Sequence, residues 1–389
     1  MIEQERIRRL NQKPEKQGDF VLYWMQQSQR AHCNHALEFA AENANRLNLP
    51  LLTCFAVNEK YPSANLRHFA FMLQGLEETV ATLAVRGIKT LLLRGETDGG
   101  ITELSKRAAL CVTDCGYMHH QREWRARLSD KVACALFQVE SDVVVPLESA
   151  SPKEEFAAYT LRPKILRILD RFMMPPKAVE LHKSSLRLKT VFDAVNRTPL
   201  QLLADLDIDR SVPESAHFKG GYTHARERLQ TFISRKLNNY DKLRNDPTCD
   251  YVSGLSPYLH FGQISPLEIA LEVAATGHPA AEKFFDELIV RRELAMNFAH
   301  YNPHCDNIAC LPGWAAQTLE QHANDPREHV YTRQDFEEAR THDRYWNAAQ
   351  KEMMASGRMH GYMRMYWGKK ILEWSATPAE AFRTAVYLN

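Results

Sequence analysis

Indoles and cationic side chains alternate in one segment near the C-terminus, and this combination could support several kinds of chemistry. Trp367 and Trp374 are seven residues apart, so on a helix they share one face, separated by about 10 Å along the axis. Two indoles on one helix face usually pack into a core. The segment also carries cationic groups that are rare on apolar faces unless an anionic or aromatic group lies nearby: Arg358, Arg364, Lys369 and Lys370. Core packing, a platform that stacks bases, the wall of a cofactor site and a path for electrons therefore all remain open.

A loop followed by a helix start could hold an anion. Tyr240 and Arg244 precede the run Ser253-Gly-Leu-Ser-Pro-Tyr-Leu-His-Phe-Gly-Gln-Ile-Ser265. Gly254 suits a turn and Ser256 suits a helix cap. Amide groups at a helix N-terminus, together with serine hydroxyl groups, also bind phosphate. The run predicts an ordinary loop and helix start, and the same atoms would form a phosphate site.

A predicted amphipathic helix carries one carboxylate on its apolar face. Apolar residues at 284, 285, 288, 289, 294 and 298 form this face. Glu287 is three residues from Phe284 and four from Arg291, so the three side chains share the face. A carboxylate in such a position is either paired or functional. Arg291 and Arg292 would ordinarily belong to a solvated face.

The elements that must position these residues divide the chain into two parts. Apolar runs predict strands at 20–25, 51–57, 89–94, 110–114 and 137–146, alternating with helices. This alternation specifies an α/β fold with a doubly wound parallel sheet, which places ligands at the carboxyl ends of its strands. From Gly220 onward the pattern predicts only helices, at 225–239, 266–275, 281–298, 312–324, 334–339, 343–356, 359–374 and 378–388. We predict a polar lead-in helix and turn at 1–18, an α/β domain at 19–148, a connection at 149–219 and an all-α domain at 220–389.

Composition narrows the class of protein. The chain has 389 residues, more than one hydrophobic core normally organises, which supports two domains. Its eight cysteines are scattered, so we expect neither a disulfide framework nor a metal site. Because no signal-peptide core or membrane-length apolar run is present, we expect an intracellular protein, cytoplasmic if the source is prokaryotic. The formal net charge is +1, so any positive potential that attracts nucleic acid must be local.

Three groups of residues closely resemble class II cyclobutane pyrimidine dimer photolyases. They are Gly254-Leu-Ser-Pro-Tyr-Leu-His-Phe-Gly-Gln263, Glu287 with Arg291-Arg-Glu-Leu294 and Asn297-Phe298, and Gly357-Arg-Met-His-Gly-Tyr362 with Arg364-Met-Tyr-Trp367. The N-terminal Tyr23-Trp-Met-Gln-Gln-Ser-Gln-Arg30 is also similar to the family's first strand and loop. The family joins an α/β domain, which can hold an antenna chromophore of the deazaflavin or folate type, to an all-α domain that binds FAD. We therefore expect FAD, reduced in the active state, as the cofactor of a monomeric protein whose partner is DNA damaged by ultraviolet light.

The resemblance also implies roles for particular residues. FAD contacts are implied for Tyr240, for Val252, Ser253, Gly254, Leu255 and Ser256, and for Phe284 and Arg364. Glu287 would hydrogen-bond the base carbonyls of the lesion, and Asn389 would lie by flavin N5. Trp367, Trp346 and Trp374 match the family's electron-transfer chain, with Trp367 nearest the flavin. The implied DNA-facing residues are Arg244, Arg291, Arg292, Arg358 and Met365.

The function implied by the resemblance is light-driven repair of cyclobutane pyrimidine dimers. Excited, reduced FAD would give an electron to a flipped-out lesion, its cyclobutane bonds would break, and the electron would return. A local positive rim would hold the DNA phosphates. Two other functions stay open, a cryptochrome-like flavoprotein photosensor without repair and a cofactor-free DNA-binding remnant. Family members continue beyond the position of Asn389 with acidic partners for the arginine at 364, so we expect less complete FAD and lesion pockets in this chain.

Overall fold

The computed structural model describes residues 2–95, 97–193 and 197–389, without the side chain of Thr97. Within the described residues, a six-stranded sheet organises the N-terminal part in the order β1-β6-β5-β2-β3-β4. Its strands are β1 (Ile7–Arg9), β2 (Phe20–Met25), β3 (Leu51–Val57), β4 (Lys89–Arg94), β5 (Ala108–Asp114) and β6 (Ala135–Val139). All neighbours are parallel except β1 and β6. The predicted parallel architecture is confirmed, with an added antiparallel strand at one edge.

Helices cover both faces of this sheet, which is why its strands read as continuous apolar runs. Val21, Tyr23 and Met25 of β2 point into one core, which includes residues of α1 (His35–Arg46) and α2 (Leu66–Val85). The alternate residues Phe20, Leu22 and Trp24 point into the other core, which includes residues of α3 (Thr97–Ser105) and α4 (His119–Lys131). The strand period of two thus sorts the side chains between two helical layers, and the doubly wound fold is confirmed.

The rest of the chain is helical. The helices are α5 (Leu147–Ala150), α6 (Ala158–Phe172), α7 (Pro199–Asp205), α8 (Tyr222–Thr231), α9 (Tyr240–Leu243), α10 (Ser256–His260), α11 (Pro266–Ala275), α12 (Ala281–Phe285), α13 (Arg292–Tyr301), α14 (Gly313–Gln321), α15 (Arg333–Glu337), α16 (Arg344–Ser356), α17 (Gly361–Trp374) and α18 (Pro378–Leu388). This confirms the predicted all-α C-terminal part. None of the helices in the described ranges is long and apolar enough to cross a membrane.

The lead-in differs from the predicted helix and turn. It forms a short 3₁₀ turn, Gln4–Arg6, followed directly by β1. Arg6 is buried, and its guanidinium donates to the carbonyl oxygens of Val143 at 3.1 Å and Val144 at 2.7 Å. Hydrogen bonds from one side chain therefore fix the lead-in to a segment far along the chain, and no local pattern could reveal this.

The predicted strand at 137–146 is correct only in its first part. β6 ends at Val139, and 143–145 form no strand. The Glu293 carboxylate accepts hydrogen bonds from the amide groups of Val144 at 2.5 Å and Val145 at 3.4 Å. Because Glu293 and Arg6 satisfy these backbone groups, the apolar run needs no neighbouring strand. The side chains of Val144 and Val145 pack instead into the core of the helical part, while Val143 packs into a smaller cluster with Tyr117 and Ala299.

Two predicted helices are interrupted, and one helix was not predicted. The regions predicted at 225–239 and 281–298 contain π-helical turns at Phe232–Lys236 and Asp286–Arg291. The sequence did not predict α4, because its buried residues are Gln121, Arg125 and Leu128, which form a mostly polar face without an apolar period.

The predicted connection packs closely on the α/β part. Leu202 and Leu206 join one core of the sheet, while Leu188 and Phe192 lie against the other. Residues 96 and 194–196 lie outside the described residues. The domain division at 18, 148 and 219 stays a prediction.

Candidate functional site

An aromatic cluster forms the floor of the candidate site. Phe232, Tyr240 and Phe284 are all buried, with ring centroids 4.7 Å apart for Phe232 and Phe284 and 5.6 Å apart for Tyr240 and Phe284. The π-helical turn at Phe232–Lys236 and a 3₁₀ turn at Leu237–Asn239 lead into α9, which begins at Tyr240. Burial raises the pKa of Tyr240 to about 12, so its hydroxyl group stays neutral.

An ion pair lies at the edge of this floor. Arg244 donates to Glu287 at 2.5 Å, and its guanidinium lies 5.8 Å from the centroid of the Tyr240 ring. The two side chains are 24% and 37% exposed, so both are accessible from solvent. Burial lowers the pKa of Arg244, but the hydrogen bond to Glu287, the charge of Glu287 and the nearby Tyr240 together outweigh that effect, and the net shift is upward. The structure thus brings together a predicted lesion contact and a predicted DNA contact.

The pair belongs to a longer row of alternating charges. Arg291 lies 3.4 Å from Glu287 and donates to Asp286 at 3.1 Å. Asp286 is also bound by Arg162 of α6 at 2.7 Å. The row Arg162–Asp286–Arg291–Glu287–Arg244 therefore runs from α6 across the π-helical turn to α9. Glu287, which the sequence left as either paired or functional, is paired in this structure.

Arg292 occupies a different environment from its neighbour. It is 16% exposed, donates to the main-chain carbonyl of Asp142 at 2.6 Å and lies 3.6 Å from the carboxylate of that residue. Asp142 is itself bound by the buried Arg30 at 2.8 Å. Arg292 therefore joins the helical part to the α/β part instead of facing solvent. Its predicted role as a DNA-facing residue stays a prediction, which these contacts do not favour.

A polar cleft of about 890 Å³ adjoins the predicted phosphate loop. Four cationic side chains line it, together with Ser253 and Asp250: Lys219, Arg228, Arg235 and Lys236. Lys236 donates to Asp250 at 2.7 Å and to the Val252 carbonyl at 3.4 Å. This volume lies within the range of about 300–1,000 Å³ that is typical of ligand clefts.

The loop beside the cleft has the backbone of a tight turn. Gly254 has φ +69°, and a Cβ there would lie 3.3 Å from Arg228 Nη1. Leu255 is buried, and its amide donates to Ser253 Oγ at 3.4 Å. The predicted cap at Ser256 is wrong, because α10 begins at that residue and its side chain makes no capping hydrogen bond. Ser256 is instead exposed to solvent.

The three predicted indoles form a buried row. Trp367 and Trp346 are stacked with centroids 6.3 Å apart and an interplanar angle of 7°. Trp346 and Trp374 follow at 6.4 Å and 61°. All three are less than 5% exposed. Their spatial order, Trp367–Trp346–Trp374, differs from the sequence order because Trp346 lies on α16 while the other two lie on α17.

Hydrogen bonds hold two of these indoles in place. Trp367 Nε1 donates to Gln350 Oε1 at 2.9 Å, and Trp346 Nε1 donates to the Trp367 carbonyl at 3.2 Å. At the other end of the row, Tyr331 and His342 lie 5.9 and 4.9 Å from the Trp374 ring. Core packing and a path for electrons, both left open by the sequence, are compatible with this geometry.

The remaining predicted residues lie apart from the ion pair. Arg358 approaches Asp250 at 4.0 Å and so joins the start of α17 to the loop at the cleft. Arg364 and Met365 are exposed, and within the described residues the Arg364 side chain makes no hydrogen bond or ion pair. Asn389 caps α18 and is exposed.

Several candidate residues were not identified from the sequence. Lys236 and Arg228 line the cleft, and Gln350 holds Trp367. Gln350 is four residues from Trp346, so helical spacing could have placed them on one face. Asp250 and Lys236 are brought together by a loop, which gives no such signal.

Comparison with known proteins places this architecture in one class. The family model for DNA photolyase matches residues 21–182. A cryptochrome from Synechocystis sp. PCC6803 superposes with a TM-score of 0.75 at 16% identity, over 96% of this chain and 78% of its own. The archaeal photolyase from Sulfolobus tokodaii with two FAD molecules superposes with a TM-score of 0.70 at 16% identity, over 95% of this chain and 82% of its own. The fold is that of the photolyases and cryptochromes.

A closer relative defines the family. Deoxyribodipyrimidine photo-lyase of Methanothermobacter thermautotrophicus is 46% identical over 394 aligned residues, covering 100% of this chain and 86% of the relative. The chain therefore belongs to the DNA photolyase family. The predicted family, its fold and an enzyme of the photolyase type are confirmed, while the class II subdivision stays a prediction.

Proposed function

We propose that the protein uses light to repair cyclobutane pyrimidine dimers in DNA, with FAD as its cofactor. The observation that carries this proposal is the ion pair of Arg244 and Glu287 beside the buried rings of Tyr240 and Phe284. It offers a guanidinium for a phosphate and a carboxyl group for a base at one edge of an apolar floor. A relative that is 46% identical over the whole chain and bears the name deoxyribodipyrimidine photo-lyase supports the same reaction.

The residues at the cleft fit a dinucleotide cofactor. Ser253 and the cationic groups of Lys236 and Arg228 suit a pyrophosphate group. Gly254 has φ +69° and no side chain, which suits a loop whose backbone approaches a ligand closely. We propose that these residues hold FAD together with the loop at 252–256, while the buried Tyr240 and Phe284 shape the floor and the unpaired Arg364 offers a further cation.

When bound, FAD supplies a reduced flavin that can give one electron to a pyrimidine dimer after absorbing light. Glu287 would orient the lesion, since its carboxylate can accept hydrogen bonds from ring N–H groups and its acid form can donate to base carbonyls. Arg244 would exchange its carboxylate partner for a phosphate when DNA arrives. With Arg292 left out, the DNA-facing residues that we propose are Arg244, Arg291, Arg358 and Met365.

The indole row would keep the enzyme in its active redox state. Electrons can pass from Trp374 to Trp346 and on to Trp367, because neighbouring rings are within 6.4 Å of each other between centroids. Asn389 remains a predicted flavin neighbour.

Two measurements together test this proposal and separate the three functions left open by the sequence. One is an absorption spectrum before and after FAD addition and after blue light with a reductant, and the other is binding to dimer-containing and undamaged DNA. A photolyase takes up FAD, the flavin bleaches to its reduced form, and the protein prefers dimer-containing DNA over undamaged DNA. A photosensor bleaches without this preference. Protein that cannot take up FAD but binds DNA in a salt-sensitive way would overturn the proposal in favour of a cofactor-free remnant.

A further inference from the structure

Two exposed aromatic side chains lie where α6 begins, and neither belongs to the candidate site described above. Phe156 and Tyr159 are 70% and 65% exposed, with ring centroids 5.5 Å apart and an interplanar angle of 84°. We call this pair the aromatic edge. Large aromatic rings are costly to leave in water and, when clustered at the surface, often mark a binding site.

The aromatic edge is connected to the ion pair of the candidate site. Arg162 is three residues beyond Tyr159, so their side chains are neighbours on the surface of α6. The Arg162 guanidinium lies 2.7 Å from Asp286, which directly precedes Glu287. Tyr159, the helical member of the aromatic edge, is therefore within about one helical turn, roughly 5 Å along the axis, of a residue that contacts the π-helical turn carrying Glu287.

The backbone that presents the aromatic edge is fixed. The amide of Glu155 donates to Asn297 Oδ1 at 2.8 Å, and Asn297 Nδ2 donates to the Lys153 carbonyl at 3.0 Å. The buried Glu155 carboxylate accepts from Ser151 Oγ at 2.6 Å and is also bound by Lys164. Rings held on an ordered backbone lose little further conformational entropy when a ligand stacks on them.

Charge complementarity indicates the kind of partner. The row from Arg162 to Arg244 contains three guanidinium groups and two carboxylates. Aromatic rings beside guanidinium groups are the combination that binds unstacked bases and their phosphates. The exposed apolar side chains of this segment continue to Leu166 and to Met174, just beyond the end of the helix. A protein partner would cover all of them, whereas DNA held at the charged row needs only the rings next to Arg162.

We propose that the aromatic edge binds DNA beside the lesion, stacking on bases that lose their neighbours when the dimer is flipped out. This inference rests on the proposed function and adds to it a second contact surface, on α6. Bases that flank a flipped nucleotide expose their π-faces, and any base can use such a contact. The aromatic edge would thus favour distorted DNA over an intact duplex without reading its sequence.

The test measures DNA binding by the full chain with Phe156→Ser and Tyr159→Ser combined. The probes are a duplex with one thymine dimer and the same duplex undamaged, each at several salt concentrations. We expect affinity for the dimer duplex to fall about tenfold, the loss expected for base stacking. The salt dependence should stay unchanged, since no charge is removed. Met174→Ser is the matched control, because it also removes an exposed apolar side chain, about 20 Å further along the helix, and should leave affinity unchanged.

Each outcome has a distinct meaning. If the wild-type protein fails to prefer the dimer duplex, both the proposed function and this inference are overturned. If the wild type shows the preference and the double variant keeps it with equal affinity, only this inference is overturned. Only this inference is also overturned if Met174→Ser weakens DNA binding as much as the double variant does. A third result against it would be that light scattering detects self-association of the wild type and that the double variant loses it.

Discussion

At the level of single residues, the ion pair of Arg244 and Glu287 joins two proposed roles, a contact to a DNA phosphate and a contact to the lesion. Both side chains are partly exposed and lie 2.5 Å apart, so each is held by the other when no DNA is present. An exposed pair of this kind contributes only about 0–1 kcal/mol to stability. A DNA phosphate can therefore take over the guanidinium at small cost, which would free Glu287 for a base.

Glu287→Gln tests the contact to the lesion. The substitution keeps the size of the side chain but removes its charge and its ability to ionise. We expect the rate of light-dependent repair to fall roughly 10- to 100-fold. This factor corresponds to about 1.5–3 kcal/mol, the contribution of a hydrogen bond to a charged group. Repair of a dimer-containing duplex under blue light measures it. Glu282→Gln, an exposed change on α12, is the control, and equal losses in both variants would contradict the assigned role.

Arg244→Gln tests the contact to phosphate. Loss of one guanidinium should weaken binding to damaged and undamaged DNA alike and reduce the salt slope of log Kd by about one. Titrations at several salt concentrations measure this slope. Arg292→Gln should leave the slope unchanged, because that side chain is directed to Asp142. The opposite result for the two arginines would contradict the set of DNA-facing residues proposed here.

At the scale of elements, the indole row depends on two helices that pack side by side. Trp346 of α16 is the central member, and its replacement by Phe removes the indole that is stacked on Trp367 and leaves a phenyl ring, which is much harder to oxidise. We expect the rate at which light reduces bound FAD in Trp346→Phe to fall close to the rate in the dark. Its measurement is the bleaching of the flavin under blue light with a reductant. Trp314→Phe is the control, since Trp314 is 72% exposed on α14, and an unchanged rate in Trp346→Phe would exclude the row as the path.

The start of α6 depends on one buried carboxylate. Burial opposes ionisation of Glu155, but hydrogen bonds from Lys164 and Ser151 outweigh it and lower its pKa to about 2. Since the folded-state pKa lies below that of the unfolded chain, about 4.3, the stabilisation is present above that value and is lost as the pH falls toward 2. We expect Glu155→Gln to lower the free energy of unfolding by roughly 2–3 kcal/mol near neutral pH.

Urea unfolding of wild type and Glu155→Gln at several pH values checks this. The difference between the two proteins should shrink as the pH falls from about 4.3 toward 2. Asp170→Asn, an exposed change on the same helix, should show no comparable difference at neutral pH. A constant gap between wild type and Glu155→Gln across the acid range would contradict the role of the carboxylate.

Regular elements of this fold were predictable from the sequence, whereas contacts between distant residues were not. Strand and helix periods predicted β2 to β5 and most C-terminal helices because those segments bury regular apolar faces. The run at 143–145 was misread because Glu293 and Arg6, distant in sequence, satisfy its backbone. Helical spacing placed Glu287 beside Arg291, whereas the pairing with Arg244 joins separate helices. Spacing also could not separate Arg291 from Arg292, which are adjacent in sequence but donate to Asp286 and to Asp142 respectively.

At the scale of the whole molecule, the α/β and helical parts share buried contacts. Phe71 of α2 and Val144 belong to the same core as Tyr240 and Phe284. Arg30, at the end of the first loop, binds Asp142 and the Gly262 carbonyl at 3.0 Å, just beyond α10. The candidate site is therefore supported by both parts of the chain. With a net charge of only +1, the proposed attraction to DNA would depend on local groups such as the row from Arg162 to Arg244.

The number of dimers left in a duplex oligonucleotide tests the proposed repair function. It is counted after incubation with FAD-loaded, reduced protein in blue light and in the dark. We predict that dimers revert to separate pyrimidines in the light and persist in the dark. If the protein holds reduced FAD and binds the damaged duplex, yet the dimers persist in both conditions, the chain is not a repair enzyme and the proposed function is wrong.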